Sequence, residues 1–387
     1  MNVILSLNLN FEKMKLFDVY PLYEVTPVSA KGIVVTDDKG QEYLDFYGGH
    51  AVISIGHGHP HYVKRLKDQL DKIGFYSNAV QNPLQVALAA KLGKLSDCED
   101  YNLFLCNSGA EANENALKMA SFQTGKTRII AFKNGFHGRT SAAVAATDNM
   151  AINAPLNKQQ KVTILPLNAI TSFKKEIQKG DVCGVIIEAI QGVGGLDEPT
   201  TSFYQEIAQC CKAHNVVLIA DEVQSGFGRS GKFFGFQHHN ITPGVISIAK
   251  GMGNGFPVGG VLIHKSIEAK YGMLGTTFGG NHLACVATMA VLEVLEKDNL
   301  IANAKTLGDY FNKKAAEIPQ VKRVKGRGLM LGLEFDFEVS ELRKKLIYNQ
   351  KLFTGGAKDK NVLRILPALN ITKAHIDTFF NALKLEL

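Results

Sequence analysis

The sequence predicts an α/β fold with a mostly parallel central sheet flanked by helices, followed by a smaller α+β domain. Apolar runs of strand length alternate with helical patterns from Leu103 to Ile263, which is typical of a parallel sheet covered on both faces. After Asn281 the pattern changes to long amphipathic helices and then to further strand-like stretches. Hydrophobic residues make up 45% and charged residues 20% of the 387 positions, a composition typical of folded proteins rather than disordered ones.

The elements are predicted in chain order from the amino terminus. Residues 33–35 and 42–46 form a hairpin around a turn that contains Gly40. Helices begin near Pro60 and Pro83, because proline is favoured in the first helical turn. Ser202 has a glutamine three residues later, the spacing of a capping box that opens a helix. Further strands are predicted at residues 103–106, 182–190, 216–220, 245–249, 261–263, 321–335 and 362–366.

Changes in this patterning divide the chain into three parts. Residues 1–49 are predicted to form an N-terminal segment that packs with the small domain. Residues 50–280 form the large domain, and residues 281–387 form the C-terminal small domain. In open α/β sheets, ligands bind beyond the carboxyl ends of the strands, so the residues that follow each apolar run are the candidates for a site.

Charge and cysteine content argue against several classes of function. The 43 basic and 36 acidic residues give a formal net charge of +7 without a dense basic run, which argues against nucleic acid as a partner. A modest positive charge suits small anionic substrates. The six cysteines contain no CxxC pair, so we expect a reducing compartment, the cytoplasm, and no redox role.

The first residues and one histidine cluster are expected to carry no special function. Residues 3–9 are apolar but too short to span a bilayer and lack a basic flank, so we expect neither a signal peptide nor a membrane helix. Met14 rather than Met1 is expected to be the physiological start, because folded patterning begins there. His57, His59 and His61 have the spacing of a metal cluster, yet alternate residues need not point together, and no metal is expected.

The first candidate for chemistry follows the strand at 103–106. Ser108 and Glu111 have capping-box spacing at the start of a helix, and Gly109 between them permits close approach of the backbone. Free N–H groups and the positive end of the helix dipole favour an anion there, above all a phosphate. An ordinary helix cap is the alternative.

Two further candidates follow later strands. Asp221 continues an apolar strand, and a carboxylate in that setting needs a cationic or N–H partner; an ordinary capped loop acid is as good an interpretation. Lys250 ends a strand before a glycine-rich loop, where a buried lysine loses its proton easily and attacks carbonyl carbons. The loop fits neither the ATP-binding spacing GxxxxGK[ST] nor the dinucleotide-binding spacing GxGxxG, because Phe256 stands where the last glycine is needed.

An anion-binding helix start, an acid and a lysine in this order suggest pyridoxal 5′-phosphate (PLP), because binding of this cofactor needs all three. From about Tyr23 to its end, the sequence resembles the class III PLP-dependent aminotransferases, a family of fold type I, and within it the acylornithine aminotransferases. The matching stretches are residues 56–60, 107–115, 136–140, 221–226, 249–251, 275–280 and 363–364.

The resemblance implies a role for each matching residue in the large, PLP-binding domain. Lys250 would form the internal aldimine, Asp221 would pair with the pyridine nitrogen, and Gln224 would reach the ring hydroxyl. The other implied cofactor contacts are Phe136 and Val223 on the two ring faces, Ser108, Gly109 and Ala110 at the phosphate, and Thr277 from the neighbouring subunit. A homodimer with a shared active site is therefore expected.

Substrate contacts are also implied by the resemblance. Arg139 would bind the α-carboxylate of an N-acylornithine and the side-chain carboxylate of glutamate, and Arg364 would bind the α-carboxylate of glutamate. Tyr23 matches a tyrosine near the substrate entrance. For either arginine the alternative is an exposed surface ion pair.

One position departs from the family pattern. Where the family commonly has E-P-x-Q-G-E-G-G, residues 188–195 read E-A-I-Q-G-V-G-G, so Val193 replaces the second glutamate. That glutamate normally neutralises the arginine that corresponds to Arg364. Without it, Arg364 is free to attract an anionic acyl group, and succinylornithine competes with acetylornithine as the expected substrate.

The expected function is transfer of the δ-amino group of an N-acylornithine to 2-oxoglutarate, giving the semialdehyde and glutamate in arginine biosynthesis. Ornithine or 4-aminobutyrate transamination is the nearest alternative. A PLP-binding regulator without turnover is a second class, although no DNA-binding module is apparent in the sequence. An NAD oxidoreductase is disfavoured because the dinucleotide fingerprint is missing.

Overall fold

The computed structural model describes residues 16–387, which form three sheets and the helices around them. The expected position of the start, Met14, lies outside the described residues. The largest sheet has seven strands in the order β4-β10-β9-β8-β7-β5-β6. Its members are β4 (Tyr101–Cys106), β5 (Arg128–Phe132), β6 (Val162–Leu165), β7 (Val182–Glu188), β8 (Val217–Asp221), β9 (Val245–Ile248) and β10 (Gly259–His264).

Six of these seven strands run in one direction. β10 alone is antiparallel to both of its neighbours, β4 and β9. The remaining pairs are parallel, and the strands β5, β7, β8 and β9 are buried along their whole length. The prediction of a mostly parallel sheet within an α/β fold is therefore confirmed.

The other two sheets have four strands each. One joins the N-terminal hairpin to a strand from the C-terminal region, in the order β1-β2-β3-β13, and the other has the order β11-β12-β15-β14. Their bounds are β1 (Pro27–Lys31), β2 (Val34–Asp37), β3 (Glu42–Asp45), β11 (Arg323–Arg327), β12 (Met330–Glu334), β13 (Leu352–Phe353), β14 (Gly355–Gly356) and β15 (Val362–Ile365). The division into domains at residues 49/50 and 280/281 stays a prediction.

Eleven α-helices lie among the described residues, besides four short 3₁₀ helices. Pro60 and Pro83 each occupy the first turn of a helix, as predicted, and the side chain of Asn82 caps the second by accepting from the Leu84 N–H. The segments are α1 (Gly48–Ala51), α2 (Pro60–Leu70), α3 (Pro83–Ser96), α4 (Gly109–Thr124), α5 (Ser141–Ala145), α6 (Ile170–Ile177), α7 (Thr201–Ala213), α8 (His282–Lys297), α9 (Leu300–Ala315), α10 (Ser340–Tyr348) and α11 (Lys373–Glu386). Within residues 16–387, no helix has the length and apolar character needed to cross a bilayer.

The start of α7 corrects one prediction. Thr200 rather than Ser202 caps this helix, and its hydroxyl accepts a hydrogen bond from the Phe203 N–H at 3.2 Å. Thr200 has the extended backbone that a capping residue needs, with φ −65° and ψ 151°, whereas Ser202 already lies inside the first turn.

A buried arginine ties distant parts of the chain together. Arg229 is only 2% exposed, and its guanidinium donates to the carbonyl oxygens of Leu329 at 3.2 Å, Pro367 at 2.7 Å and Ile53 at 3.1 Å. Burial lowers the pKa of Arg229 to about 10. Three carbonyl groups from three regions of the chain therefore solvate one buried cation.

The register of the large sheet brings the candidate residues together. Glu188 and Asp221 are paired at the carboxyl ends of β7 and β8, and Asp221 is paired with Ser247 on β9. At the other side, Gly259 at the start of β10 is paired with Cys106 at the end of β4. Lys250 lies in the connection between β9 and β10. Because β10 is paired with β4, this connection lies beside the loop that leads from β4 into α4.

Candidate active site

A cavity of about 210 Å³ opens at the carboxyl edge of the large sheet. Eight of the residues predicted to form the site line it, together with Val193 and four further residues. The lining residues are Gly109, Ala110, Asn113, Phe136, His137, Gly138, Arg139, Glu188, Val193, Asp221, Val223, Gln224 and Lys250. Two larger clefts on the surface, of about 590 and 730 Å³, contain none of these residues.

The start of α4 forms one wall of this cavity. Ser108 caps the helix, and its hydroxyl accepts from the Glu111 N–H at 3.2 Å. The Glu111 carboxylate reaches back to the N–H of Asn107 at 2.5 Å, one residue earlier than in a capping box. The first N–H groups of a helix have no partner within it, so those of Gly109 and Ala110 are available to an anion.

Gly109 is required by a close contact. A Cβ atom at this position would lie 2.5 Å from Cγ1 of Val223, which is closer than real carbon atoms approach. The glycine therefore lets the start of α4 pack directly against a residue that follows β8. This contact joins the start of α4, where an anion would bind, to the loop that follows Asp221.

Asp221 is 3% exposed and is held by three donors. Its Oδ2 accepts from Nδ2 of Asn113 at 2.8 Å and lies 2.7 Å from Nδ1 of His137, while its Oδ1 accepts from the Val223 N–H at 3.1 Å. Burial alone lowers the pKa of His137, but the bond to Asp221 outweighs it and raises that pKa above the ordinary value. The carboxylate is consequently fixed in orientation by groups from α4 and the loop before α5.

Sequence analysis assigned no role to Asn113 or His137, although both lie in stretches that match the family. Asn113 follows Gly109 by four positions on a helix, so the two share a face, and this spacing is the signal that could have found it. Oδ1 of Asn113 accepts in turn from the Ser247 hydroxyl at 2.5 Å. His137 directly follows Phe136, and nothing in its local pattern indicates a partner 84 residues away.

Lys250 lies two residues after the end of β9 in a left-handed backbone conformation, with φ +50°. For a residue with a side chain this conformation costs about 1–2 kcal/mol, and such strain is common at functional sites. Burial lowers the pKa of Lys250 to about 8; the charges of Asp221 and Glu188 oppose this shift, whereas those of Arg364 and Arg229 add to it. A substantial fraction of this amine is therefore neutral, and nucleophilic, near physiological pH.

Glu188 joins two loops beneath the cavity. One carboxylate oxygen accepts from the Phe136 N–H and the other from the Gly192 N–H, both at 2.9 Å. Burial raises the pKa of Glu188 to about 7. Sequence analysis left this residue without a role, because one of its two partners, the Phe136 N–H, lies 52 positions away.

The comparisons with known proteins agree with this geometry. The family model of class III aminotransferases matches residues 19–387. The chain belongs to the class III aminotransferases. It is 39% identical to an acetylornithine aminotransferase of Bacillus subtilis, over 95% of this chain and 96% of that protein. It is also 39% identical to an acetylornithine aminotransferase of Aquifex aeolicus, over 95% of this chain and 98% of that one.

Solved structures show the same fold. The ornithine aminotransferase of Toxoplasma gondii superposes with a TM-score of 0.88 at 25% identity, covering 96% of this chain and 92% of that one. That of Plasmodium yoelii has a TM-score of 0.82 at 28% identity, over 95% and 96% of the two chains. The protein is thus a PLP-dependent transaminase, and the predicted fold type I is confirmed.

The cavity of this aminotransferase has the donors and acceptors that PLP requires. The start of α4 offers N–H groups to a phosphate, and the buried Asp221 carboxylate can accept from a protonated ring nitrogen. Oε1 of Gln224 is buried and has no hydrogen-bond partner within residues 16–387, whereas its Nε2 donates to the His50 carbonyl at 3.2 Å. An unpartnered amide oxygen fits an acceptor for the ring hydroxyl.

Four residues expected at the site do not line the cavity. Ser108 lies just behind it as the cap of α4, and Thr277 is exposed in the loop before α8. Tyr23 packs edge to face against Tyr348, with ring centroids 6.3 Å apart. Arg364, the fourth, donates to the carbonyl of Gly192, which directly precedes the cavity-lining Val193.

The two predicted substrate arginines differ in environment. Arg139 is exposed at the cavity and contacts no carboxylate among the described residues. Arg364 is 4% exposed, so the alternative of an exposed surface pair is wrong for this residue. Its guanidinium donates to the carbonyls of Gly356 at 2.5 Å and Gly192 at 2.9 Å, and burial lowers its pKa.

Proposed function

We propose that this aminotransferase moves the δ-amino group of an N-acylornithine to 2-oxoglutarate, giving an N-acylglutamate semialdehyde and glutamate, as a step of arginine biosynthesis. The observation that carries the proposal is that Arg139, which contacts no carboxylate in the described part of the chain, lines one cavity with a lysine of lowered pKa, Lys250. The similarity to acetylornithine aminotransferases over nearly the whole chain supports the same substrate class.

The residues around the cavity would have different roles in the reaction. When bound, PLP supplies an aldehyde carbon that receives the amino group and a ring that takes up the electron pair left on the substrate carbon. Lys250 would hold the cofactor between turnovers, and its Nζ would then remove the proton from the δ-carbon of the substrate and deliver one to the cofactor carbon. A positioned proton transfer of this kind contributes about 10²- to 10⁴-fold to the rate.

The ring would be held from both sides. Asp221, fixed by Asn113 and His137, would keep the ring nitrogen protonated. Phe136 and Val223 would pack on the two ring faces. The start of α4, through Ser108, Gly109 and Ala110, would bind the phosphate, and Thr277 of a second subunit would complete that site in a homodimer.

Substrate carboxylates would be bound by the two arginines. Arg139 would take the α-carboxylate of the acylornithine through the planar fork of its guanidinium, and Arg364 would take the α-carboxylate of glutamate. Tyr23 would lie near the entrance. Glutamate and 2-oxoglutarate carry two carboxylates each, so one arginine for each carboxylate supports 2-oxoglutarate as acceptor.

The acyl group is the finer part of the proposal. Val193 lines the cavity where the family commonly has glutamate, and none of the hydrogen-bond partners of Arg364 among residues 16–387 is a carboxylate. An arginine without an acidic partner favours a donor with an additional negative charge. N-succinylornithine is therefore proposed beside N-acetylornithine.

An amino-donor panel tests the proposal. The holoenzyme is given N-acetylornithine, N-succinylornithine, ornithine or 4-aminobutyrate with 2-oxoglutarate, and glutamate formation is measured. We expect the highest kcat/KM for an acylornithine. A higher value for ornithine or 4-aminobutyrate would overturn the substrate assignment, and a clear preference for the acetyl compound would contradict the succinyl proposal.

A cytoplasmic location completes the proposal. All six cysteines are free in the structure and five of them are buried, as suits a reducing compartment. Fractionation of cells that express the native chain tests this, and recovery outside the cytoplasmic fraction would contradict it.

A further inference from the structure

Two loops that line the cavity follow neighbouring strands of the large sheet. The loop after β5, residues 133–140, carries Arg139, and the loop after β7, residues 189–200, carries Val193. Glu188, the last residue of β7, accepts a hydrogen bond from each loop. The position of Arg139 relative to Val193 also depends on the contacts that join these loops beyond Glu188.

The two loops touch through their backbones. A Cβ atom at Gly194 would lie 2.5 Å from the Asn134 carbonyl oxygen and 2.9 Å from the Asn134 Cβ atom. Asn134 itself has a left-handed conformation, with φ +64°, which asparagine adopts more readily than most residues. A side chain at position 194 would therefore push the loops apart.

A third segment, residues 357–361 between β14 and β15, lies against the loop of Val193. The Lys358 N–H donates to the Val193 carbonyl at 2.8 Å. The next N–H, that of Asp359, donates to the Gly194 carbonyl at 3.3 Å. The backbone of this segment thus follows the loop over two successive residues.

The side chain of Lys358 reaches the other loop through Asp148. Its Nζ donates to both the carbonyl oxygen and Oδ2 of Asp148, each at 2.7 Å. Oδ2 of Asp148 also accepts from the Asn134 N–H at 2.8 Å, and the Asp148 N–H donates to the Gly135 carbonyl at 3.0 Å. Lys358 therefore bonds to one loop with its backbone and, through Asp148, is joined to the other.

The Asp148 carboxylate is ionised at physiological pH. Partial burial acts to raise its pKa, but the Asn134 N–H and the Lys358 ammonium outweigh burial and hold that pKa below the ordinary value. The Lys358 and Asp148 side chains are 43% and 30% exposed, and an ion pair of this exposure adds little to the stability of a folded chain. Its consequence is geometric, because it sets the separation of the two loops.

We infer that Lys358 and Asp148 are a positioning pair: by joining the loop of Arg139 to the loop of Val193, they fix the width of the cavity and thereby the affinity for substrates. The inference rests on the proposed function, in which Arg139 binds a substrate carboxylate. It adds two residues that do not line the cavity themselves but hold in place the loops that do.

Replacement of Lys358 by methionine, which removes the charge, tests this inference. Initial rates of the holoenzyme are measured with 2-oxoglutarate and the amino donor that has the highest kcat/KM in the panel. We expect KM for both substrates to rise about two- to fivefold, the effect of losing one partly exposed ion pair. The value of kcat should change little, because Lys250 and Asp221 lie outside both loops.

Further variants make the comparison specific. Lys358→Arg retains the charge and should have a KM close to that of the parent. Asp148→Asn retains an acceptor for the Asn134 N–H but loses the charge, and its combination with Lys358→Met should raise KM no further than either change alone. Lys360→Met, two positions along, removes a lysine that is 71% exposed and paired with Glu338, and it should leave KM unchanged.

Hydrogen exchange provides a measurement that needs no substrate. Loss of the ion pair should speed exchange of the backbone amides of residues 133–140 in Lys358→Met but not in Lys360→Met. The Asn134 amide should respond most directly, because its N–H donates to Asp148.

An unchanged KM in Lys358→Met, an equal rise in Lys360→Met, or losses that add in the double variant would overturn the inference. If the parent uses none of the donors in the panel with 2-oxoglutarate, the proposed function is wrong instead, and hydrogen exchange then tests the pair alone. Faster exchange confined to Lys358→Met supports a positioning pair, whereas equal exchange in both variants overturns it.

Discussion

Nδ1 of His137 lies 2.7 Å from Oδ2 of Asp221, and both side chains are buried. The same carboxylate oxygen accepts from Asn113, so Asp221 is held by two side chains on one oxygen and by a backbone N–H on the other. Asp221 therefore reaches the cofactor site already oriented, without the entropy cost of ordering it in each catalytic cycle.

Replacing His137 by phenylalanine should weaken this arrangement. Loss of a charge-assisted hydrogen bond costs about 1.5–3 kcal/mol, so we expect kcat to fall by at least about tenfold while KM changes less. Steady-state kinetics measure this, with His264→Phe, at a partly exposed position far from the site, as control. An unchanged kcat would contradict a positioning role.

His137 should also give stability a pH dependence. Its pKa is raised in the folded chain, so its contribution is fully present below about pH 6.5, the unfolded value, and is lost as pH rises through the folded pKa. The free energy of unfolding is measured by denaturation for the cofactor-free parent and for His137→Phe. The amount by which the parent exceeds the variant should decrease as pH rises through this window. A difference independent of pH would be inconsistent with the raised pKa.

Replacing Lys250 by alanine should abolish turnover. The change removes the proton-transferring amine but leaves the start of α4 intact, so some PLP should stay bound through its phosphate. Activity assays and cofactor content measure the two effects, with Lys265→Ala, at an exposed lysine paired with Asp100, as control. Activity within tenfold of the parent, or borohydride trapping of the cofactor on another residue, would show that Lys250 is misassigned.

Uptake of PLP by the cofactor-free enzyme should depend on pH with a midpoint near 8, the pKa of Lys250. The neutral amine is the nucleophile, so the rate should rise with pH through this value and level off above it. An ordinary lysine, with a pKa about 2.5 pH units higher, would have about 300-fold less neutral amine at pH 7. Stopped-flow absorbance checks this; a rate still rising steeply at pH 10 would contradict it.

Replacing Gly109 by alanine should weaken cofactor binding. The added Cβ would collide with Val223 and push the start of α4 away from the Asp221 loop, so we expect Kd for PLP to rise by about tenfold or more, the order expected for one lost charge-assisted contact. Gly93→Ala is the matched control, since its Cβ meets only ordinary contacts at 3.5 Å within α3. Equal affinity in both variants would show that the close contact is dispensable.

The sequence predicted which residues lie at the strand ends, but it did not predict the hydrogen bonds that join them. Ser108, Asp221 and Lys250 each follow an apolar run, and such local patterns predict which edge of the sheet they occupy. Asn113, His137 and Glu188 were given no role, because each has a partner that is distant in sequence. Asn113 meets Asp221 across 108 positions, His137 meets it across 84, and Glu188 meets Phe136 across 52.

The three carbonyl groups around Arg229 have a consequence for how the enzyme admits its substrates. Swinging the C-terminal region away from the large sheet would strip a permanent cation of its acceptors from Leu329 and Pro367, a penalty of several kcal/mol. Wide separation of these two regions is therefore costly, so entry and exit must use smaller movements around an otherwise fixed body.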